Sequence, residues 1–214
     1  MNLLTGPLPE DVEISGRAWP VNSDFRTGVR FELLMQNRTL TDETRLERAL
    51  LLYYPRVPPD IPAALDGLLW FYSCGRARNG GGAAGSADRG ARQPTGKKAP
   101  KAYSFEQDAE LIFAAFWGAY GIDLNTIERL HWWKFRALFQ ALPAECEFCK
   151  VMEYRTADTT GMGKKQKQFY SRMKKRYALK NEESEAAAMT LEERDQRMKE
   201  YVARRFAEVE AGTH

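Results

Sequence analysis

The chain is poor in the residues that carry most covalent and metal chemistry. Its 214 residues include three cysteines (Cys74, Cys146 and Cys149) and two histidines (His131 and His214). A small, odd number of cysteines is the pattern of reduced thiols rather than of a disulfide framework. A structural zinc needs four ligands. The single Cys146-x-x-Cys149 pair has no second pair to complete a site, and Cys74 and His131 are the only further recruits of suitable type. Phosphate-loop, dinucleotide and zincin motifs are absent; Gly161-Met162-Gly163-Lys164-Lys165 resembles a phosphate loop only faintly and follows no strand. No apolar run approaches the roughly 18 residues of a membrane span. The first ten residues have neither a basic region nor an apolar stretch, so no secretory signal is expected. No nucleophile elbow or partnered base is recognisable around His131, so the expectation is a non-enzymatic protein with no cofactor, no metal and no catalytic residue.

What is present is the composition of a folded protein: 43% hydrophobic and 29% charged residues, enough to bury a sizeable core. The net charge of +3 is too weak for a dedicated nucleic-acid binder, but it is blocked. Residues 1–75 sum to −3, 76–101 to +6, 102–163 to −4, 164–180 to +8 and 181–214 to −4. Segment 76–101 is rich in Gly, Ala and Arg and holds no large apolar side chain, which predicts a flexible basic linker or loop. The expected organisation is a hairpin with helices over 1–75, that linker, a C-terminal helical part of the same unit over 102–180, and a charged helical tail over 181–214.

Local patterns favour helices. Residues 11–22 read as a β-hairpin turning at Ser15-Gly16, with Pro20 placing the return strand at an edge. A helix after Asn22-Ser23-Asp24 would carry Phe25, Val29 and Leu33 on one side, broadened by Phe31 and Leu34. Thr41 opens a helix facing Leu46, Ala49, Leu50 and Tyr53, and four prolines between 55 and 62 separate it from an apolar helix over 61–74 that is expected to be buried on most sides. Ser104 and Gln107 form a capping box before Phe105, Ala109, Ile112, Phe113, Phe116, Trp117 and Tyr120, with Gly121 as the C-terminal cap. Asp123 is expected to cap the next helix, along which Trp132, Phe135, Phe139 and Leu142 align. Pro143 is expected to start a short helix with Cys146, Cys149 and Met152 on its core face. Thr190 and Glu193 suggest a last capped helix. The fold class is mainly α: a helical bundle with a small N-terminal β-hairpin and a flexible Gly/Arg-rich internal loop.

Two segments are candidate contact surfaces. Adjacent Trp132 and Trp133 point about 100° apart on a helix, so both are buried only if two sides are covered. With Lys134, Phe135 and Phe139 they form either plain core or a groove for a partner helix. Segment 164–180 places Phe169, Met173 and Tyr177 at four-residue spacing among cations that include Lys174 and Lys175. It reads either as an amphipathic helix with a solvated basic face or as a site for an acidic partner, RNA or a membrane surface.

Three stretches resemble one family. They are Leu8-Pro9 with residues 11–27; residues 103–109 running through Tyr120-Gly121-Ile122-Asp123 into Leu130-His131-Trp132-Trp133-Lys134-Phe135; and Phe169-Tyr170 with Met173-Lys174-Lys175 and Tyr177-Ala178-Leu179. Together they resemble the "gene product fifteen" family of phages and prophages of Gram-positive bacteria over about residues 8 to 180. The resemblance implies a siphophage tail-assembly chaperone. Such a protein works in the host bacterial cytoplasm, binds the tape-measure protein, helps recruit the major tail protein, acts as a homo-oligomer or in many copies per client, and is absent from the mature virion. The family offers no catalytic residues to carry over. The alternatives are a structural virion protein of the tail or connector, and a nucleic-acid-binding protein using segments 76–101 and 164–180.

Overall fold

The computed structural model describes residues 3–37, 39–76 and 101–180. The expected linker, except its end residues, and the expected tail with its Thr190 cap lie outside the described residues. Met1–Tyr177 forms one compact unit and Ala178–His214 a second, described only at 178–180. Among the described residues, one two-stranded sheet precedes seven helices.

The hairpin pairs β1 (Asp11–Ile14) with β2 (Arg17–Pro20) antiparallel, Asp11 opposite Pro20 and Ile14 opposite Arg17. Ser15 (φ 52°) and Gly16 (φ 74°) both adopt left-handed backbone, as a two-residue turn matched to strand twist requires. Val12 and Ile14 are buried, while β2 faces out except at half-buried Trp19.

Side-chain caps set most helix starts. Asp24 accepts from the Arg26 amide (3.0 Å) to begin α1 (Phe25–Gln36), and Thr41 accepts from the Thr44 amide (3.2 Å) to begin α2 (Asp42–Tyr53). Asp60, with Pro62 in the first turn, begins α3 (Ile61–Tyr72). The α2 face is the expected one: Ala49, Leu50 and Tyr53 are buried. α3 is less enclosed than its apolar sequence suggests, because Ala64, Leu68, Phe71 and Tyr72 point inward while Ile61 and Trp70 remain exposed.

α1 is rotated from its expected face. Phe25, Gly28, Phe31 and Glu32 point inward, and Val29, Leu33 and Leu34 are only half-buried. The reason is tertiary. The indole of Trp132 lies on the bare backbone at Gly28, so close that a Cβ there would stand 2.3 Å from Trp132 Cε3.

Ser104 Oγ accepts from the Glu106 and Gln107 amides, but Asp108, not Gln107, closes the capping box by accepting from the Ser104 amide (2.9 Å). The helix α4 (Ala109–Tyr120) therefore starts four residues later than the pattern implied and ends on Gly121 in the left-handed region (φ 65°). Ile112 and Phe116 are buried, whereas Trp117 is 55% exposed and stacks on Phe113. Asp123 caps only one turn, through the Asn125 and Thr126 amides, and no helix follows until α5 (Trp132–Gln140). The expected helix from Pro143 also starts late. Cys146 is the N-cap of α6 (Glu147–Thr156), and α7 (Lys164–Arg176) closes the described fold.

The core joins α1, α3, α4 and α5 through stacked rings. Phe135 stacks on Phe25 (5.0 Å) and Phe116 (5.0 Å), and Trp132 stacks on Tyr72 (5.3 Å). Burial of each such ring contributes about 1.5–3 kcal/mol.

Candidate functional site

The two candidate segments sit in opposite environments. In α5, Trp132, Trp133, Phe135 and Phe139 are all buried, and only Lys134 faces solvent. Both sides of the adjacent tryptophans are covered. Trp132 lies between Gly28 and Tyr72, and Trp133 lies against Trp70, Phe71 and Gly75. Their indole N–H groups donate to consecutive carbonyls at the end of α3, Trp132 to Tyr72 (2.9 Å) and Trp133 to Phe71 (2.8 Å). Two amphipathic rings thus bury their faces and satisfy their polar edges at once. In the folded chain these four aromatics belong to the core, with Trp133 also bordering a cleft beside α3.

The helix begins at His131, whose Nδ1 accepts from the Trp133 amide (3.1 Å). Nδ1 is therefore the unprotonated nitrogen, and Nε2–H donates to the Pro9 carbonyl (2.9 Å). Burial pushes the imidazole below its ordinary range, consistent with a neutral ring. Both nitrogens serve the main chain, one as a helix cap and one as a tie to the N-terminal arm. Around it, residues 22–25 and 130–132 run antiparallel: Phe25 N donates to Leu130 O (2.8 Å) and Trp132 N to Ser23 O (2.7 Å). Arg26 completes this junction by donating to the Leu124 and Ile127 carbonyls (3.0 and 2.8 Å).

α7 is the contrasting element. Its thirteen residues, KKQKQFYSRMKKR, contain seven cations and no carboxylate, and none is buried. Phe169 is 40% exposed, Lys175 is exposed, and Met173, Lys174 and Tyr177 are half-buried. The expected aromatic face meets α6 through one ring, Tyr154, which contacts Phe169, Tyr170 and Tyr177 at 6.0, 6.1 and 5.9 Å. Polar bonds add to it: Tyr170 donates to Glu153 (2.9 Å) and Lys174 to the Ala157 carbonyl (2.6 Å). Gly163 at the N-cap offers no side chain, and Lys164, Lys165 and Lys167 occupy the positive end of the helix dipole. That placement opposes helix stability, so stability does not account for it.

Two buried polar clusters escaped the sequence reading. Asp108 and Arg155 form a two-pronged ion pair (2.6 and 2.8 Å), and Arg155 also donates to the Ala102 and Tyr177 carbonyls (3.1 and 2.6 Å). One guanidinium thus ties the start of α4, the segment before it and the end of α7. Glu32 accepts from the Tyr72 hydroxyl and from Gln36 Nε2 (3.1 Å), and Lys101 donates to Gln36 (2.6 Å). Burial first, and the Glu32 carboxylate second, push the Tyr72 phenol far up, so it acts as a donor. Asp108 stood one place beyond a legible capping box; Arg155 and Glu32 gave no local signal.

Near α3, a cleft of about 570 Å³ is lined by Trp70, Ser73, Cys74, Arg76, Trp133 and Arg136, among others. No group of three or more metal-ligating side chains occurs among the described residues, and none of their helices is long and apolar enough to cross a membrane.

The sequence model of the family described as "Bacteriophage Gp15 protein" matches residues 4–179. The chain belongs to that family. No curated protein and no solved structure matches it. The match spans β1 to α7, so the buried α5 junction and the exposed basic α7 are both parts of the Gp15 unit.

Proposed function

We propose that this chain is a non-enzymatic tail-assembly chaperone of a tailed phage. In the host cytoplasm it binds the tape-measure protein, keeps it soluble, and helps bring major tail protein subunits to it; it does not stay in the virion. The observation that carries the reading is α7 within a Gp15-family fold: a helix anchored on Tyr154 and Arg155 whose seven cations are balanced by no carboxylate of its own. A long helical client presents acidic and apolar stripes before assembly. Lys164, Lys165, Lys167 and Lys175, with the exposed ring of Phe169, complement both. Individual contacts of this kind are weak, so binding gains from several copies on one client.

The test is co-expression with the cognate tape-measure protein. The client should become soluble and co-purify with this chain. Replacing the four lysines by glutamine should weaken capture roughly tenfold, since each exposed charge pair contributes about 0.2–1 kcal/mol, with no loss of helical circular dichroism. A client that stays insoluble and never co-purifies refutes the reading. The same cations fit nucleic-acid phosphates, and binding that falls steeply with salt in gel-shift assays would favour that alternative. Mass spectrometry of purified virions separates a chaperone, which is absent, from a structural tail or connector protein.

A further inference from the structure

Cys146 and Cys149 pack against the core as expected, together with Met152, but at the start of a helix rather than in its middle. Cys146 is the N-cap of the ten-residue α6, with extended backbone (φ −67°, ψ 149°), and Cys149 is its third residue. Cys146 Sγ accepts a hydrogen bond from the Cys149 amide (3.4 Å), which places it over the first turn on the side of Cys149. Cys149 Sγ donates back to the Leu142 carbonyl (3.9 Å). Both side chains are half-exposed. Residues three apart across a first helical turn have Cα atoms about 5–6 Å apart, within the range a disulfide spans without moving the backbone.

The two sulfurs are not equivalent. Cys146 sits at the N-terminus of α6, where the cysteines of exchange pairs act as nucleophiles, and its sulfur receives an N–H donor. Cys149 instead donates its S–H to a carbonyl. The third cysteine, Cys74, is half-buried on left-handed backbone (φ 60°), and burial pushes its thiol up.

We propose that Cys146 and Cys149 form a thiol–disulfide exchange pair that oxidises to an intrachain disulfide at the expense of a low-molecular-weight disulfide such as glutathione disulfide. The Cys146 thiolate attacks one sulfur of the oxidant; the oxidant's S–S bond breaks, and one thiolate leaves and takes a proton from water. Cys149 then loses its proton to solvent and attacks the Cys146 sulfur, expelling the second thiolate, which is also protonated. Two protein thiols are oxidised and one disulfide is reduced to two thiols. The site makes no use of α7 and stands independently of the chaperone reading.

The full-length protein is incubated with glutathione disulfide, quenched, alkylated and mapped by peptide mass. Cys146 and Cys149 should lose alkylation together and retain no glutathione, while Cys74 stays alkylated. C149S should trap a stable glutathione adduct on Cys146, and C146S, in which serine keeps the helix cap, should react at Cys149 at least about tenfold more slowly. Accumulation of glutathione adducts on the wild-type pair, a bridge to Cys74, or equal rates for the two variants would overturn the proposal.

Discussion

Gly28 is the position where the packing argument is most exposed to experiment. It lies within α1, where alanine is normally the better helix former by about 0.8–1.0 kcal/mol. Yet an alanine Cβ would meet Trp132 at 2.3, 2.5 and 2.6 Å, against an ordinary carbon contact of about 3.5–4.0 Å. The indole must then retreat by about 1.2 Å or more. Behind it lie the stacked Tyr72 ring (5.3 Å) and Phe135 (5.7 Å), and its N–H is held by the Tyr72 carbonyl. Trp132 is 0% exposed, so no solvent-filled space takes up the shift. Overpacking of this kind costs about 1–3 kcal/mol, and a disturbed indole hydrogen bond adds up to about 1 kcal/mol. After the propensity gain, G28A should be less stable than wild type by up to about 3 kcal/mol. Gly118 supplies the internal control, because a Cβ there meets nothing within 4 Å. G118A should be stabilised by about 0.5–1 kcal/mol. Urea unfolding followed by helical circular dichroism measures both. Equal stabilities for the two variants, or a stabilised G28A, would refute the reasoning about Trp132.

Three further outcomes follow from the buried polar groups. Arg155→Met leaves the Asp108 carboxylate buried without its counter-ion, held by the Ser104 amide, and should cost about 3–5 kcal/mol; adding Asp108→Asn should recover part of that loss, and simple additivity in urea titrations would contradict the pairing. Tyr54→Phe removes a buried hydroxyl that donates to the Ala64 carbonyl (2.7 Å) and should cost about 1 kcal/mol, read as a fall of a few degrees in Tm. For His131, burial depresses the folded-state pKa below its ordinary 6.5, so the unfolded chain binds more protons as pH drops below that value. This contribution to stability is complete above about pH 6.5 and is lost as pH falls from there toward the folded pKa. The slope of unfolding free energy between pH 7 and 5 should therefore be shallower in His131→Asn, and identical slopes would show that the ring is not held neutral.

What could be read from residue order alone was whatever is encoded within a few positions. The Ser15-Gly16 turn, the Asp24 and Thr41 caps and the Gly121 stop are local hydrogen-bond and backbone devices, and each appears where its residues stand. The mainly helical fold class followed from the same signals. So did the condition on the paired tryptophans, since two adjacent indoles on a helix are buried only when two sides are covered.

Which of two readings applied was decided by contacts distant in sequence. Trp132 and Trp133 are core because the end of α3, some sixty residues earlier, offers two carbonyls and two aromatic faces. α1 turns Gly28 and Glu32 inward because Trp132 and Tyr72 are there to meet them, and a hydrophobic pattern within α1 carries no information about a bulky ring arriving from elsewhere. Asp108 and Arg155 are 47 residues apart and lie on different helices, so no spacing rule could pair them. The late start of α6 makes Cys146 a helix cap while its side chain still packs against the core. The scarcity of cysteine was plain from the first count; the different bonding of its one close pair arises only once the chain folds, because the helix terminus and the Leu142 carbonyl that distinguish the two sulfurs do not exist before then.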